Sequence, residues 1–127
     1  MTELVKKKIL VVDDDKLTIV LMTKILEEKG FEVLKAYDGQ EGLALIKQKV
    51  PDLIIMDRMM PKMDGIKACA LIKADRRFYK IPIIMITASA EKSDHDLSKQ
   101  IGVDAFLNKP LNAVDIIAKV QTLLHRV

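Results

Sequence analysis

Hydrophobic residues fall along the chain in two alternating kinds of run. Short blocks rich in Ile, Val, Leu and Met occur at Ile9–Val12, Phe31–Ala36, Leu53–Met56, Ile83–Ile86 and Ala105–Leu107. Most do not alternate apolar with polar residues, which predicts strands covered on both faces, as in a parallel sheet. Between them apolar residues recur at helical spacing. Leu17, Val20, Leu21 and Ile25 form one stripe, closed by Gly30 as a C-terminal cap, and Leu43, Ile46 and Val50 form a second. Asp64 is placed to cap a third helix through Ile66, Ala70 and Lys73. A fourth, from about Asp94 to Ile101 and ended by Gly102, has a thin apolar face. In the last, Asn112 as cap precedes Ala113, Ile116, Ile117, Val120 and Leu124. Five strands alternating with five helices predict an α/β three-layer sandwich.

In such a sheet the ligand site lies beyond the carboxyl ends of the strands, near a topological switch point. Asp13, Asp14 and Asp15 follow the first strand. Asp57 follows the third, Thr87 the fourth, and the fifth leads to Lys109-Pro110. Singly, each has an ordinary explanation. Asp15 is placed to cap a helix, a Thr at a strand end satisfies β-propensity, and a Lys before Pro is commonly a solvated loop residue. Their convergence on one edge points further. Clustered carboxylates repel, so one must hold a proton or the group must take a cation. Mg²⁺ suits such a site, because it uses one or two carboxylates and leaves positions open for phosphate oxygens. The Lys109 ammonium and Thr87 hydroxyl could meet the remaining oxygens. This is equipment for phosphoryl transfer, in which a protein mainly positions groups and neutralises charge.

Composition narrows the class. The chain's 127 residues make one domain's length, spanning 1–127, and its 50% hydrophobic and 31% charged residues exclude a disordered polypeptide. Aromatic residues are only 4% with no Trp, so the core must be aliphatic, with seven Met as adaptable filler. The single Cys69 permits no internal disulfide, and its apolar helical neighbours predict buried packing. Met1–Lys8 is basic without a following apolar stretch for a signal peptide, and no run approaches a membrane span, so a cytoplasmic location is expected. A net charge of +3 without a helix-turn-helix or stacking aromatics argues against direct nucleic-acid binding; Lys73, Arg76, Arg77 and Lys80 read as a solvated connection.

The segments Ile9-Leu-Val-Val-Asp-Asp-Asp15, Ile54-Ile-Met-Asp-Arg-Met-Met-Pro-Lys-Met-Asp-Gly65, Thr87-Ala88 and Lys109-Pro110 resemble the receiver domains of two-component response regulators, in order and over nearly the whole chain. The resemblance implies a flavodoxin-like (βα)5 fold with strand order 2-1-3-4-5, an order known for flavodoxin and for receiver proteins. It implies that Asp57 accepts the phosphoryl group, that Asp14, Asp57 and the Met59 carbonyl hold Mg²⁺, and that Asp13 does so through water. It makes Lys109 the phosphoryl contact, Thr87 and Phe106 the switch residues, Pro61 and Gly65 the shapers of the covering loop, and the Lys109–Pro110 bond cis. Such a domain assists its own phosphorylation but is a signalling module rather than an enzyme. Its donor would be a phosphohistidine on a sensor kinase or histidine phosphotransfer protein. Its downstream partner is unspecified, acting on a monomer or a phosphorylation-dependent dimer through the face made by the fourth helix, fifth strand and fifth helix.

Three positions depart from the family pattern. Arg58 stands where an apolar residue is common, and its side chain is expected to reach solvent or partner carboxylates. Phe106 lacks the hydroxyl of the usual Tyr, and Leu111 replaces an aromatic. Met59 and Ser89 occupy the positions that flank the path of hydrolytic water, and a thioether there predicts a long-lived phosphoryl group. Two rival readings exist. A haloacid-dehalogenase-like phosphatase also begins with a strand and Asp-x-Asp, here Asp13 and Asp15, but leaves Asp57 and its loop without a role. A receiver-like binding module that is never phosphorylated would leave the full acceptor set unused.

Overall fold

The computed structural model describes residues 5–88 and 92–125, apart from the side chains of residues 92–95. The chain runs β1 (Lys8–Val12), α1 (Lys16–Glu28), β2 (Glu32–Ala36), α2 (Gly39–Lys49), β3 (Leu53–Asp57), α3 (Gly65–Ala74), β4 (Ile83–Thr87), α4 (Lys92–Gln100), β5 (Ala105–Asn108) and α5 (Ala113–Leu124). All strand pairs are parallel and the sheet order is β2-β1-β3-β4-β5. This is the flavodoxin-like order that the sequence resemblance implied. The chain moves outward from β1 to β2, then crosses back to β3 on the other side, so the switch point lies between β1 and β3.

The unbroken apolar strands serve two cores at once, because successive side chains point to opposite faces. Ile9, Val11, Ile55, Ile84 and Ile86 pack with Ile19, Met22 and Leu26 of α1 and Ile116 and Val120 of α5. Leu10, Val12, Ile54, Met56 and Met85 pack with Ile46 of α2 and with Ala68, Cys69 and Ile72 of α3. Cys69 is fully buried, as expected, and burial pushes its thiol up to about 12.

On α1 the structure corrects the expected apolar stripe. Leu17, Val20 and Leu21 lie outward, Leu17 with 79% of its surface exposed, while Ile19, Met22, Thr23 and Leu26 are buried. Both sets satisfy helical spacing, and the sheet selects the second. On α2, Ile46 is buried but Val50 is exposed and ends the helix with φ +44°. Three strands run one residue past the apolar run, to Asp57, Thr87 and Asn108, because ladder pairing of Asp57 with Ile86 and of Thr87 with Asn108 continues through the polar residues. Phe31 stays outside β2, donating its N–H to the Leu26 carbonyl at the end of α1 (3.2 Å). α4 begins before the expected Asp94, and its buried Ser98 donates to the Met85 sulfur (3.4 Å). Among the described residues no helix is long and apolar enough to cross a membrane.

Candidate functional site

β1, β3, β4 and β5 deliver their last residues to one edge of the sheet. Asp13, directly after β1, is fully buried; its N–H donates to the Ala36 carbonyl (3.1 Å) and its Oδ1 accepts from the Asp15 N–H (2.8 Å). Its second oxygen, Oδ2, is buried without a hydrogen-bond partner. Asp15 turns away from the cluster to cap α1, accepting from the Leu17 N–H and the Thr18 hydroxyl, each at 3.0 Å. Asp14 stays exposed between them. Asp57 ends β3 with only 4% of its surface exposed. One carboxylate oxygen from each of Asp13, Asp14 and Asp57 lies within 4.8 Å of the others.

Opposite this group, Lys109 Nζ stands 3.8 Å from Asp57 Oδ1. The lysine follows β5, its N–H donates to the Thr87 carbonyl (3.0 Å), and the Lys109–Pro110 peptide bond is cis. Thr87 is buried at the end of β4. Phe106 sits beside Met85 in the β4–β5 ladder and packs half-buried against the α2–α3 core. Leu111 packs against the opposite core. The structure therefore brings Asp13, Asp14, Asp57, Thr87 and Lys109 to one edge and excludes Asp15.

The electrostatics follow from this crowding. Burial, and then the Asp13 carboxylate, push Asp57 up to about 7; Asp14 adds to the rise, while the Lys109 ammonium and the Met59 N–H oppose it. Asp13 is also raised, chiefly by burial, against the bond from the Asp15 N–H. A cation between these oxygens would remove the need for a proton. The buried, unpartnered Asp13 Oδ2 and the all-oxygen donor set fit a hard divalent ion.

The β3–α3 loop folds over this edge. The Met59 N–H hydrogen-bonds the Asp57 carboxylate, and the Gly65 N–H donates to the Arg58 carbonyl (3.0 Å). A Cβ at Gly65 would collide with the Asp57 carbonyl, so only glycine permits this approach. Pro61 accepts from the Met63 N–H (2.8 Å) around Lys62, whose φ is +71°. Arg58 corrects the expectation of a solvent-reaching side chain. It is only 18% exposed and folds back along the loop, with Nη1 3.9 Å from Asp64 Oδ2 and 3.4 Å from the Met59 sulfur. Sequence reading missed this arrangement because the partners join only once the loop closes. Ser89 lies outside the described residues.

Doubly wound topology with an acidic cluster and a nearby lysine at the carboxyl edge of the sheet defines the class as a flavodoxin-like fold. The sequence profile of the response regulator receiver domain matches residues 9–121, and the chain belongs to that family. It is 38% identical over 120 residues to the alkaline phosphatase synthesis transcriptional regulatory protein PhoP of Bacillus subtilis, covering 94% of this chain and 49% of that protein. The chain thus spans about half the length of the relatives it matches. A putative response regulator from Chloroflexus aurantiacus superposes with TM-score 0.91 at 29% identity, covering 96% of this chain and 100% of that one. The receiver domain of sensor histidine kinase PA1611 from Pseudomonas aeruginosa, with a magnesium ion coordinated in its active site cleft, superposes with TM-score 0.88 at 26% identity, covering 96% and 100%.

Proposed function

We propose that residues 1–127 form a receiver domain that works as a phosphorylation-dependent switch, with Asp57 accepting the phosphoryl group. The observation that carries this reading is the placement of Asp57, a buried carboxylate with an ammonium 3.8 Å away and two further carboxylates within reach of one cation. Lys109 would neutralise the incoming phosphoryl oxygens, and the Met59 N–H orients the Asp57 carboxylate for attack. Asp14, Asp57 and the Met59 carbonyl would hold Mg²⁺ directly, with Asp13 acting through water, and the ion would supply charge neutralisation at the transferring phosphoryl group. Magnesium in the cleft of the PA1611 receiver supports this assignment.

Phosphate on Asp57 would give the Thr87 hydroxyl an acceptor, and Phe106, half-buried in the adjacent strand, could turn inward as the β4 end moves. The phosphodonor is a phosphohistidine of a sensor kinase or a histidine phosphotransfer protein. Leu21 on α1 lines a groove with Asp15, Thr18, Lys109 and Leu111, and the neighbouring Leu17 is exposed, so apolar surface suited to a helical donor lies beside the mouth. Output passes through a further segment or a separate protein, since the matched relatives are transcriptional regulators twice this length. The phosphatase reading is disfavoured by Asp15, which caps α1 instead of facing the pocket.

Incubation with acetyl phosphate and Mg²⁺ should add one phosphoryl group by intact mass. Asp57→Asn should abolish the addition, and Asp15→Asn should retain it. Labelling of Asp57→Asn at Asp13 would support the phosphatase instead.

A further inference from the structure

Met59 combines three properties that none of the other described methionines shares. The residue is 68% exposed, its own N–H helps to favour the ionised Asp57 carboxylate, and its sulfur lies 3.4 Å from Arg58 Nη1. Met22, Met56, Met60 and Met85 are buried, and Met63 is partly buried against Gly39. An exposed thioether is open to two-electron oxidation, which turns a flexible apolar side chain into a polar one with a strong acceptor oxygen.

Building on the proposed role of Asp57, we propose that Met59 is a reversible oxidation site, at which conversion to the sulfoxide shortens the life of the phosphoryl group on Asp57. The oxidant is a peroxide. Its terminal oxygen transfers to the Met59 sulfur as the O–O bond breaks, and the remaining oxygen leaves as water or alcohol. Reduction by a dithiol returns the thioether, with water released and a disulfide formed. The change costs the fold little because the sulfur is not in the core. Its effect is local. The thioether is a weak acceptor for the Arg58 guanidinium, whereas a sulfoxide oxygen would bind it firmly and compete with Asp64, 3.9 Å away. The same oxygen makes the rim beside Asp57 hydrophilic and able to hold the water that attacks the acyl phosphate. Cys69 is fully buried, so peroxide at low dose has no accessible thiol to modify among the described residues.

The test uses the whole chain and two readouts. Brief treatment with hydrogen peroxide, followed by peptide mapping, should place the first added oxygen on Met59. Treated and untreated protein are then phosphorylated with acetyl phosphate and Mg²⁺, the donor is removed, and loss of the phosphoryl mass is timed. Decay should be about fivefold faster after oxidation, the effect of one added hydrogen bond to the attacking water. Met59→Gln should decay quickly without peroxide, and Met59→Leu should be insensitive to it. Equal decay in treated and untreated protein overturns the proposal while leaving Asp57 as the acceptor. So does first oxidation elsewhere, or an equal response in Met59→Leu. Failure of untreated protein to take up any phosphoryl group overturns the functional reading itself, and this inference with it.

Discussion

Lys109 Nζ stands 3.8 Å from Asp57 Oδ1, beyond hydrogen-bonding distance, with the lysine side chain 37% exposed. A contact this loose and this hydrated attracts the carboxylate without neutralising it. Burial and the charges of Asp13 and Asp14 outweigh it, and the proton affinity of Asp57 stays high despite the lysine. The metal-free site is therefore a place of stored repulsion, and the first two predictions follow from that imbalance.

Asp57 titrates near 7 in the folded chain, against 3.8 for an ordinary aspartate. The folded state thus binds more protons than the unfolded state between about pH 4 and 7. The stability Asp57 contributes is full below that window and is lost as pH rises through it. Asp57→Asn removes the dependence. Without metal, the variant should melt above the parent at pH 8, by about 1–2 kcal/mol after allowance for the hydrated mouth of the site. The gap should narrow at pH 5. Thermal melts at both values in a chelating buffer check it, and a gap that is constant with pH would show that Asp57 is ionised throughout.

Magnesium should act in the same sense as removal of charge. An ion bound only by the folded chain raises the melting temperature with concentration. Asp14→Ala should erase most of that rise and should not lower metal-free stability, since Asp14 is exposed and adds only repulsion to Asp57. Melts over a millimolar Mg²⁺ series provide the measurement. A parent chain that shows no shift would rule out the proposed metal site.

The sequence made the sheet and the polar residues at its carboxyl edge legible for one shared reason. Strands buried on both faces must be apolar throughout, so Ile9–Val12 and Leu53–Met56 stand out, and a polar residue at the end of such a run is conspicuous. The inner face of α1 was not legible. Leu17, Val20 and Leu21 match helical spacing as well as Ile19, Met22 and Leu26 do, and only the sheet's position decides between them. The path of Arg58 was hidden for a related reason. Its partner Asp64 is brought near by the close approach of Gly65 to Asp57, a contact that no local pattern encodes.

That close approach gives a third prediction. Gly65→Ala places a Cβ against the Asp57 carbonyl and 3.0 Å from Arg58 Cα, both backbone atoms that cannot swing aside. The loop must lift, at a cost of about 2 kcal/mol or more. Because the Met59 N–H rides on the same loop, labelling of Asp57 should slow along with the loss of stability. Gly30→Ala serves as the comparison. It is strained by its φ of +90°, but it follows Lys29, the C-cap of α1, at the opposite edge and should spare labelling. Similar labelling rates in the two variants would separate the loop from the chemistry.

A fourth prediction concerns the edge of the sheet away from the site. Lys73 at the end of α3 donates to the carbonyls of Tyr79 (3.0 Å) and Ile81 (2.8 Å) and to Asp104 Oδ2 (3.4 Å). The same Asp104 oxygen accepts from the Ile83 N–H (2.8 Å), while the Asp104 N–H donates to the Ile83 carbonyl (2.9 Å). Two side chains, only 15% and 18% exposed, thus join α3, the start of β4 and the start of β5. Asp104→Ala leaves a part-buried N–H and an ammonium short of an acceptor and should destabilise the chain by about 2–3 kcal/mol. Lys73→Met keeps the apolar stem and should cost less. The double variant should cost less than the sum, because each single change already breaks the shared contact. Denaturant unfolding of the four proteins measures the coupling, and additive losses would show that Lys73 and Asp104 act independently. Labelling of Asp57 should persist in all of them at temperatures where they are folded, since this joint lies at the opposite ends of the strands from the acidic pocket.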